Sequence, residues 1–96
     1  MEFEWDDNKA KTNEVKHGVS FEVAATVFED PFARLIPDPD HSAEEDRFIL
    51  LGLSSQADAL VVCHCFRAEG LVIRLISARH ATKKEENYYW RMRHEG

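Results

Sequence analysis

Two kinds of hydrophobic spacing follow one another along the chain, and each predicts a different secondary structure. Up to residue 31 the apolar positions recur every three or four residues, which is typical of helices that pack through one face. From residue 32 onward they alternate with polar positions or form short continuous runs, which is typical of β-strands. The pattern therefore predicts an α+β protein in which helices pack on a sheet.

Capping residues place two helices in the first part of the chain. Asp6 and Asp7 carry the carboxylate oxygens that cap a helix start, and Gly18 is the residue type that ends one. The first helix is therefore expected over about residues 7–17. Ser20 marks the start of a second helix, which ends at Pro31. Its apolar face is predicted to contain Phe21, Ala24, Ala25 and Phe28.

Four later segments are predicted to form an antiparallel sheet. They are residues 32–36, 47–53, 59–66 and 71–77. Gly70 lies between the last two segments and indicates the tight turn of a hairpin. The stretch from Pro37 to Asp46 is acidic, contains two prolines and is predicted to be a loop. Residues 2–5 alternate polar and apolar side chains and could add a short edge strand.

A third helix completes the predicted order of elements. Thr82 and Glu85 have the spacing of a capping box, in which each side chain bonds the backbone of the other residue. The inner face of this helix is predicted to contain Tyr88, Tyr89 and Met92. A chain of 96 residues is too short for two independent cores, so residues 1–96 are predicted to form a single domain.

The most informative feature of the composition is the distribution of charge along the chain. The hydrophobic fraction of 44% and charged fraction of 31% are typical of a globular protein. No apolar run reaches the roughly 18 residues of a membrane span, and the first residues are acidic, so we expect a cytoplasmic protein without membrane contact. Residues 1–50 contain 5 Lys/Arg and 13 Asp/Glu, whereas residues 51–96 contain 7 and 5. An anionic ligand is therefore expected to bind the C-terminal half.

Arginines of the second half are the first candidates for chemistry. Arg74 interrupts an apolar strand, and a charge at such a position must be paired or face an open site. Arg67 and Arg79 flank the same hairpin. Two or three guanidiniums on one sheet face could bind a phosphate and stabilise the transition state of its transfer. The alternative is that Arg74 pairs with a core carboxylate such as Glu85.

The first helix carries a second set of candidates on one face, namely Lys9, Asn13, Lys16 and His17. A histidine near a cation could act as a general base, and a lysine could bind phosphate. The alternative is that the cations of the last turn complement the helix dipole. For Glu85 and Tyr89 on the last helix, the alternatives are a capping role and core packing.

Other catalytic motifs are weak or absent from the sequence. Cys63, His64 and Cys65 are adjacent, but no second Cys/His pair follows at metal-ligand spacing, so packing within a strand is the alternative to a metal or redox site. The sequence contains no Gly-rich phosphate loop, no serine elbow and no His-Glu-x-x-His motif. The Arg, Lys and His candidates instead indicate phosphodiester cleavage that needs neither a metal nor a cofactor.

Three ordered motifs make the chain similar to a known family. They are FEWDDNKAKTNEVKHGVSFEVAATVFEDP at residues 3–31, EEDRFILLG at residues 44–52, and IRLISARHATKKEE at residues 73–86, followed by Tyr89. Together these motifs cover nearly the whole chain, and they resemble the BrnT family of type II toxin components. The opening motif and the IRLISAR stretch contribute most to this resemblance.

The resemblance implies a RelE-like fold and a toxin that cleaves RNA and arrests growth. Its polar motif residues include the candidates above, and we predict that His17, Arg67, Arg74 and Arg79 are catalytic, with Lys9, Lys16 and Tyr89 binding the substrate and no metal. The implied partner is a BrnA-type antitoxin with a ribbon-helix-helix domain, through which alone the toxin would reach operator DNA. The alternative is an inactive subunit that binds the antitoxin and acts as a co-repressor.

Overall fold

The sheet has five strands, one more than the antiparallel set predicted from the sequence. The computed structural model describes residues 1–37 and 46–95, and most of the predicted loop from Pro37 to Asp46 lies outside them. The strands are β1 (Glu2–Glu4), β2 (Arg34–Pro37), β3 (Phe48–Leu53), β4 (Ala59–Arg67) and β5 (Val72–His80). Their order across the sheet is β1-β5-β4-β3-β2.

The additional strand makes the sheet mixed. Strands β2 to β5 are antiparallel neighbours, as predicted, whereas β1 runs parallel to β5. The suggested edge strand therefore exists, but the prediction of a purely antiparallel sheet was wrong. The reason is that β1 pairs with the distant residues 72–74, and a parallel pair needs a long crossover that only the tertiary fold supplies.

Three α-helices in the described residues begin and end close to the predicted positions. They are α1 (Asp7–His17), α2 (Phe21–Ala25), which continues as a 3-10 turn over Thr26–Glu29, and α3 (Lys83–Glu95). The Asp6 side chain accepts hydrogen bonds from two backbone amides of α1, and Gly18 ends that helix with a φ of +70°. Both hydrogen bonds of the predicted Thr82–Glu85 capping box are present.

The two faces of the sheet carry separate hydrophobic clusters. One face packs against α1 and α2 through a large core that includes Phe21, Leu60 and Ile73. The other face packs against α3, where Tyr89 contacts Leu51 and Val61. Tyr88 was also predicted to face inward, but 38% of its surface is exposed. The apolar contacts of α3 are with β3 and β4, whereas the β5 residues on this side are partly exposed.

A β-bulge and an irregular turn modify the last hairpin. Cys63 pairs with Ser77 and His64 pairs with Leu75, so Ile76 is the additional residue in β5. The predicted tight turn at Gly70 is a short 3-10 turn over Ala68–Gly70. Strand β5 is also longer than predicted and continues to His80.

The side chain of Asn13 closes the edge of β5 beyond the short strand β1. Its Nδ2 donates to the carbonyl oxygens of Ala78 and Val19, both at 2.9 Å, and its Oδ1 accepts from the Ala78 amide at 3.0 Å. The amide thus bonds Ala78 as a neighbouring strand would. Asn13 is buried, so these bonds satisfy backbone groups that have lost contact with water.

We expect the substitution Asn13→Ala to destabilise the fold by about 2–4 kcal/mol, because it removes three buried hydrogen bonds and leaves their backbone partners unsatisfied. Urea denaturation followed by circular dichroism measures the change. Asn87→Ala on the exposed side of α3 is the matched control and should change stability by less than about 0.5 kcal/mol. If Asn13→Ala destabilised the fold no more than Asn87→Ala does, the Asn13 hydrogen bonds would contribute little to stability.

His64 is fully buried among three phenylalanine rings. The centroids of Phe28, Phe48 and Phe66 lie 4.8, 6.3 and 5.3 Å from its ring. Its Nδ1 lies 3.1 Å from the Val62 carbonyl oxygen, and Nε2 has no hydrogen-bond partner in the described part of the chain. Burial lowers the pKa of His64, because it disfavours the charged imidazolium more than the bond to Val62 favours it.

The folded protein should therefore lose stability as the pH falls below 6.5, the ordinary pKa of histidine. Below that pH the unfolded chain binds a proton at His64 that the folded chain binds less readily. Unfolding free energies measured from about pH 7.5 to about pH 5.5 should fall in the wild type and stay flatter in His64→Phe. His80→Gln, at an exposed position of β5, should keep the wild-type slope. A wild-type slope in His64→Phe would refute this assignment.

Candidate functional site

Three of the predicted arginines lie on one face of the sheet. Opposed residues of an antiparallel pair project to the same side, and the register opposes Arg67 to Val72, Cys65 to Arg74 and Val61 to Arg79. Since Val61 contacts Tyr89 of α3, the arginines share the α3 face. They lie in an open part of it, where their side chains stay 31–52% exposed. Arg74 and Arg79 lie four residue pairs apart, roughly 13 Å along the strands. The face therefore offers two cationic positions.

The first cationic position contains Arg67 and Arg74 around Glu4. Nη1 of Arg74 donates to Oε2 of Glu4 at 2.7 Å, and Nε of Arg67 lies 3.8 Å from the same oxygen. This hydrogen bond raises the pKa of Arg74. Arg74 thus pairs with a carboxylate, as the alternative predicted, but the partner is Glu4 and not Glu85, because β1 brings Glu4 to the strand position beside Arg74.

Arg79 and Glu85 form the second position. Nη1 and Nη2 of Arg79 donate to the two carboxylate oxygens of Glu85 at 2.8 and 3.0 Å, which is a bidentate pair. Glu85 also accepts from the Thr82 amide at 2.8 Å, so it fixes the guanidinium and caps α3 with one carboxylate. These hydrogen bonds lower the pKa of Glu85 to about 2, and the bond from Arg79 has the largest effect.

The candidates on α1 lie together at the edge of β5. Lys9, Lys16 and His17 line a groove of about 310 Å³ whose sheet wall is the bulged residue Ile76. None of the three arginines lines this groove. Arg79 nevertheless follows Ile76 by only three residues, about 10 Å of extended chain. The groove and the open sheet face are therefore neighbours across β5.

Tyr89 lies apart from both groups of cations. Its side chain is fully buried, its hydroxyl donates to Oδ2 of Asp30 at 2.6 Å, and it accepts from Nη1 of Arg93 at 3.1 Å. Burial and the bond to Asp30 raise the pKa of the Tyr89 hydroxyl. A Cβ at Gly52 would lie 3.0 Å from Oδ2 of Asp30, so glycine makes room for the carboxylate. In this structure Tyr89 attaches α3 to the core.

The cysteine–histidine motif does not converge on one point. Alternation along β4 places Cys63 and Cys65 on the α3 face and His64 on the opposite face, among the phenylalanines. Neither cysteine forms a disulfide bond. The described residues contain no group of three or more His, Cys, Asp or Glu side chains placed to hold a metal ion.

Glu4 is the residue of this site that sequence reasoning missed. The order Glu2, Phe3, Glu4 alternates polar and apolar residues, which indicates that the two glutamates share one face of β1. The alternation does not reveal which strand lies beside β1, and without that neighbour Glu4 has no predicted partner.

The fold and the site define a small α+β protein with cations on an open sheet face, an arrangement suited to phosphate groups. The fold is similar to the crystal structure of the Brucella abortus ribonuclease toxin BrnT, with a TM-score of 0.66 and 24% identity, over 86% of this chain and 99% of that chain. A family described as the ribonuclease toxin BrnT of type II toxin–antitoxin systems matches residues 5–85. The chain therefore belongs to the BrnT family of ribonuclease toxins.

A search of curated proteins gives no match. None of the helices in the described part of the chain has the length and apolar character needed to cross a bilayer. As a member of a type II toxin family, the protein has an antitoxin as its implied partner.

The Arg79–Glu85 pair should contribute stability that depends on pH. The pKa of Glu85 falls from 4.5 to about 2 on folding, so its contribution is complete above about pH 4.5 and is lost as the pH falls toward 2. We expect Glu85→Gln to destabilise the fold by about 1 kcal/mol at neutral pH and by less at acidic pH. Chemical denaturation over this range measures the difference. The neighbouring Glu86→Gln should show no such dependence, and a constant difference for Glu85→Gln would contradict the assignment.

Proposed function

We propose that this protein is a metal-independent endoribonuclease that cleaves RNA and arrests growth until its antitoxin binds. The observation that carries the proposal is the placement of Arg67, Arg74 and Arg79 on one open sheet face. Guanidiniums bind phosphate oxygens in a planar, bidentate manner and stay charged at every physiological pH. Membership of a ribonuclease toxin family supports the same reaction.

The chemistry requires three contributions from the protein. A base takes the proton of the ribose 2′-hydroxyl, whose oxygen then forms a bond to the adjacent phosphorus. Cations stabilise the negative charge that develops on the phosphoryl oxygens. The bond from phosphorus to the 5′-oxygen breaks as a general acid donates a proton to that oxygen. The products are a 2′,3′-cyclic phosphate and a free 5′-hydroxyl.

These roles are divided between two surfaces, the open sheet face with the arginines and the α1 groove. Arg79, held rigidly by Glu85, is the candidate for charge stabilisation, because a preorganised donor needs little reorientation during the reaction. Arg67 and Arg74 bind an adjacent phosphate of the strand. Lys9 and Lys16 guide the RNA along the α1 groove, where His17 is the candidate base. Tyr89, although predicted to bind substrate, supports the site from the core.

The proposed partner is a BrnA-type antitoxin with a ribbon-helix-helix domain, through which the toxin reaches operator DNA. An apolar groove of about 240 Å³ between α3 and the sheet is suited to such a partner. Its walls include Ile36, Ile49 and Tyr88, and Arg34 and Lys84 lie among its lining residues. A toxin that acts on cellular RNA works in the cytoplasm, and we propose that location.

The test is cleavage of a single-stranded RNA by the purified protein in EDTA, together with growth after induction without antitoxin. We expect Arg79→Ala to reduce the cleavage rate on the order of 100-fold, because it removes a cation from the transition state. Lys9→Ala should reduce cleavage less. Arg91→Ala on the exposed side of α3 and Lys11→Ala on α1 are the matched controls and should retain activity. Circular dichroism confirms that each variant folds.

Two outcomes would contradict the proposal. Cleavage that stops in EDTA would refute metal independence. A folded wild-type protein that neither cleaves RNA nor arrests growth, yet binds its antitoxin in a pull-down, would instead support the inactive co-repressor subunit.

A further inference from the structure

We propose that Arg67 and Arg74 form a phosphate-binding subsite that the Glu4 carboxylate occupies until RNA displaces it. The inference rests on the proposed ribonuclease function and concerns how its site is controlled. Glu4 is then an internal competitor of the RNA backbone, built into the edge strand of the same sheet.

The geometry of Glu4 marks the position of an anionic oxygen. Its Oε2 receives a hydrogen bond from Nη1 of Arg74 at 2.7 Å and lies 3.8 Å from Nε of Arg67. The two guanidiniums come from neighbouring strands, so one oxygen is shared between two cations. A carboxylate and a phosphodiester offer guanidinium the same pair of anionic oxygens. A phosphate oxygen can therefore replace Oε2 of Glu4.

The accessibility of this cluster allows such an exchange. The side chains of Arg67, Arg74 and Glu4 retain 52, 31 and 41% of their exposure to solvent. Ion pairs at this exposure are weak and screened by salt, because water solvates both partners. A ligand that carries several phosphates can displace the carboxylate, since its other charges bind elsewhere on the face.

The position of β1 does not depend on the Glu4 charge. Its backbone pairs with residues 72–74, and its buried side is anchored by Phe3, whose ring lies 5.3 Å from that of Phe28. Glu2 provides a matched control. It projects from the same face of β1 with the same charge, but it lies beside Val72 and no ion pair of Glu2 occurs among the described residues.

The experiment compares Glu4→Gln with Glu2→Gln for binding to a fluorescent 2′-O-methyl RNA oligonucleotide, which has phosphates but cannot be cleaved through a 2′-hydroxyl. We expect Glu4→Gln to bind roughly two- to fivefold more tightly at low salt, because a weak competing ion pair is removed. Its plot of log K against log salt should steepen by about 0.7 for each phosphate gained. Glu2→Gln should change affinity less. In an Arg74→Ala background, Glu4→Gln should lose its effect.

Several results would overturn the inference. Unchanged or weaker binding by Glu4→Gln would show that the carboxylate is inert or positions the arginines. An equal increase in RNA affinity for Glu2→Gln would show that the effect comes from the change in net charge alone. Tighter binding of the antitoxin but not of the oligonucleotide would assign the subsite to an acidic segment of the partner. Binding that Arg74→Ala weakens and Glu4→Gln leaves unchanged would overturn the inference but keep the proposed function. Absence of RNA binding by the wild type and by every variant would contradict both the inference and the proposed function.

Discussion

The three hydrogen bonds of the Asn13 amide are the contact on which the rest of the site depends. Strand β5 carries Arg74, Arg79 and the bulged residue Ile76, but β1 supports it only over residues 72–74. Beyond that point the Asn13 side chain takes the place of a neighbouring strand. The same amide binds the Val19 carbonyl after α1, so one residue sets the distance between the helix that carries the lysines and the strand that carries the arginines.

The distribution of charge in the structure makes an acidic chain compatible with the proposed site for anions. Although the net charge is −6, the open sheet face concentrates guanidiniums, and each position includes one carboxylate. The two carboxylates serve different purposes. Glu85 bonds both nitrogens of one arginine and a helix terminus, so it is fixed by the fold. Glu4 contacts Arg74 and Arg67 but accepts no backbone hydrogen bond from its side chain in the described residues, so in the proposed site it is the carboxylate that can rearrange.

Local features of the site could be predicted from the sequence, whereas its long-range contacts could not. The helix caps at Asp6, Gly18 and Thr82 depend on residues within one helical turn. The strand segments likewise follow from the local alternation of apolar and polar residues. The parallel pairing of β1 with β5 and the bulge at Ile76 arise only when distant segments meet, and no local pattern encodes them. For the same reason the arginines were predicted as a group, but their division between Glu4 and Glu85 was not.

The parallel strand β1 also has a consequence for the order in which the protein folds. The antiparallel hairpins join segments close in sequence, but the bond between Glu4 and Arg74 spans 70 residues. Contacts of such high sequence separation form slowly, because a long loop must close before they contribute stability. During synthesis β1 has no partner until residues 72–74 emerge, so the first cationic position is assembled among the last parts of the fold. A nascent chain that lacks β5 therefore cannot form the arginine face.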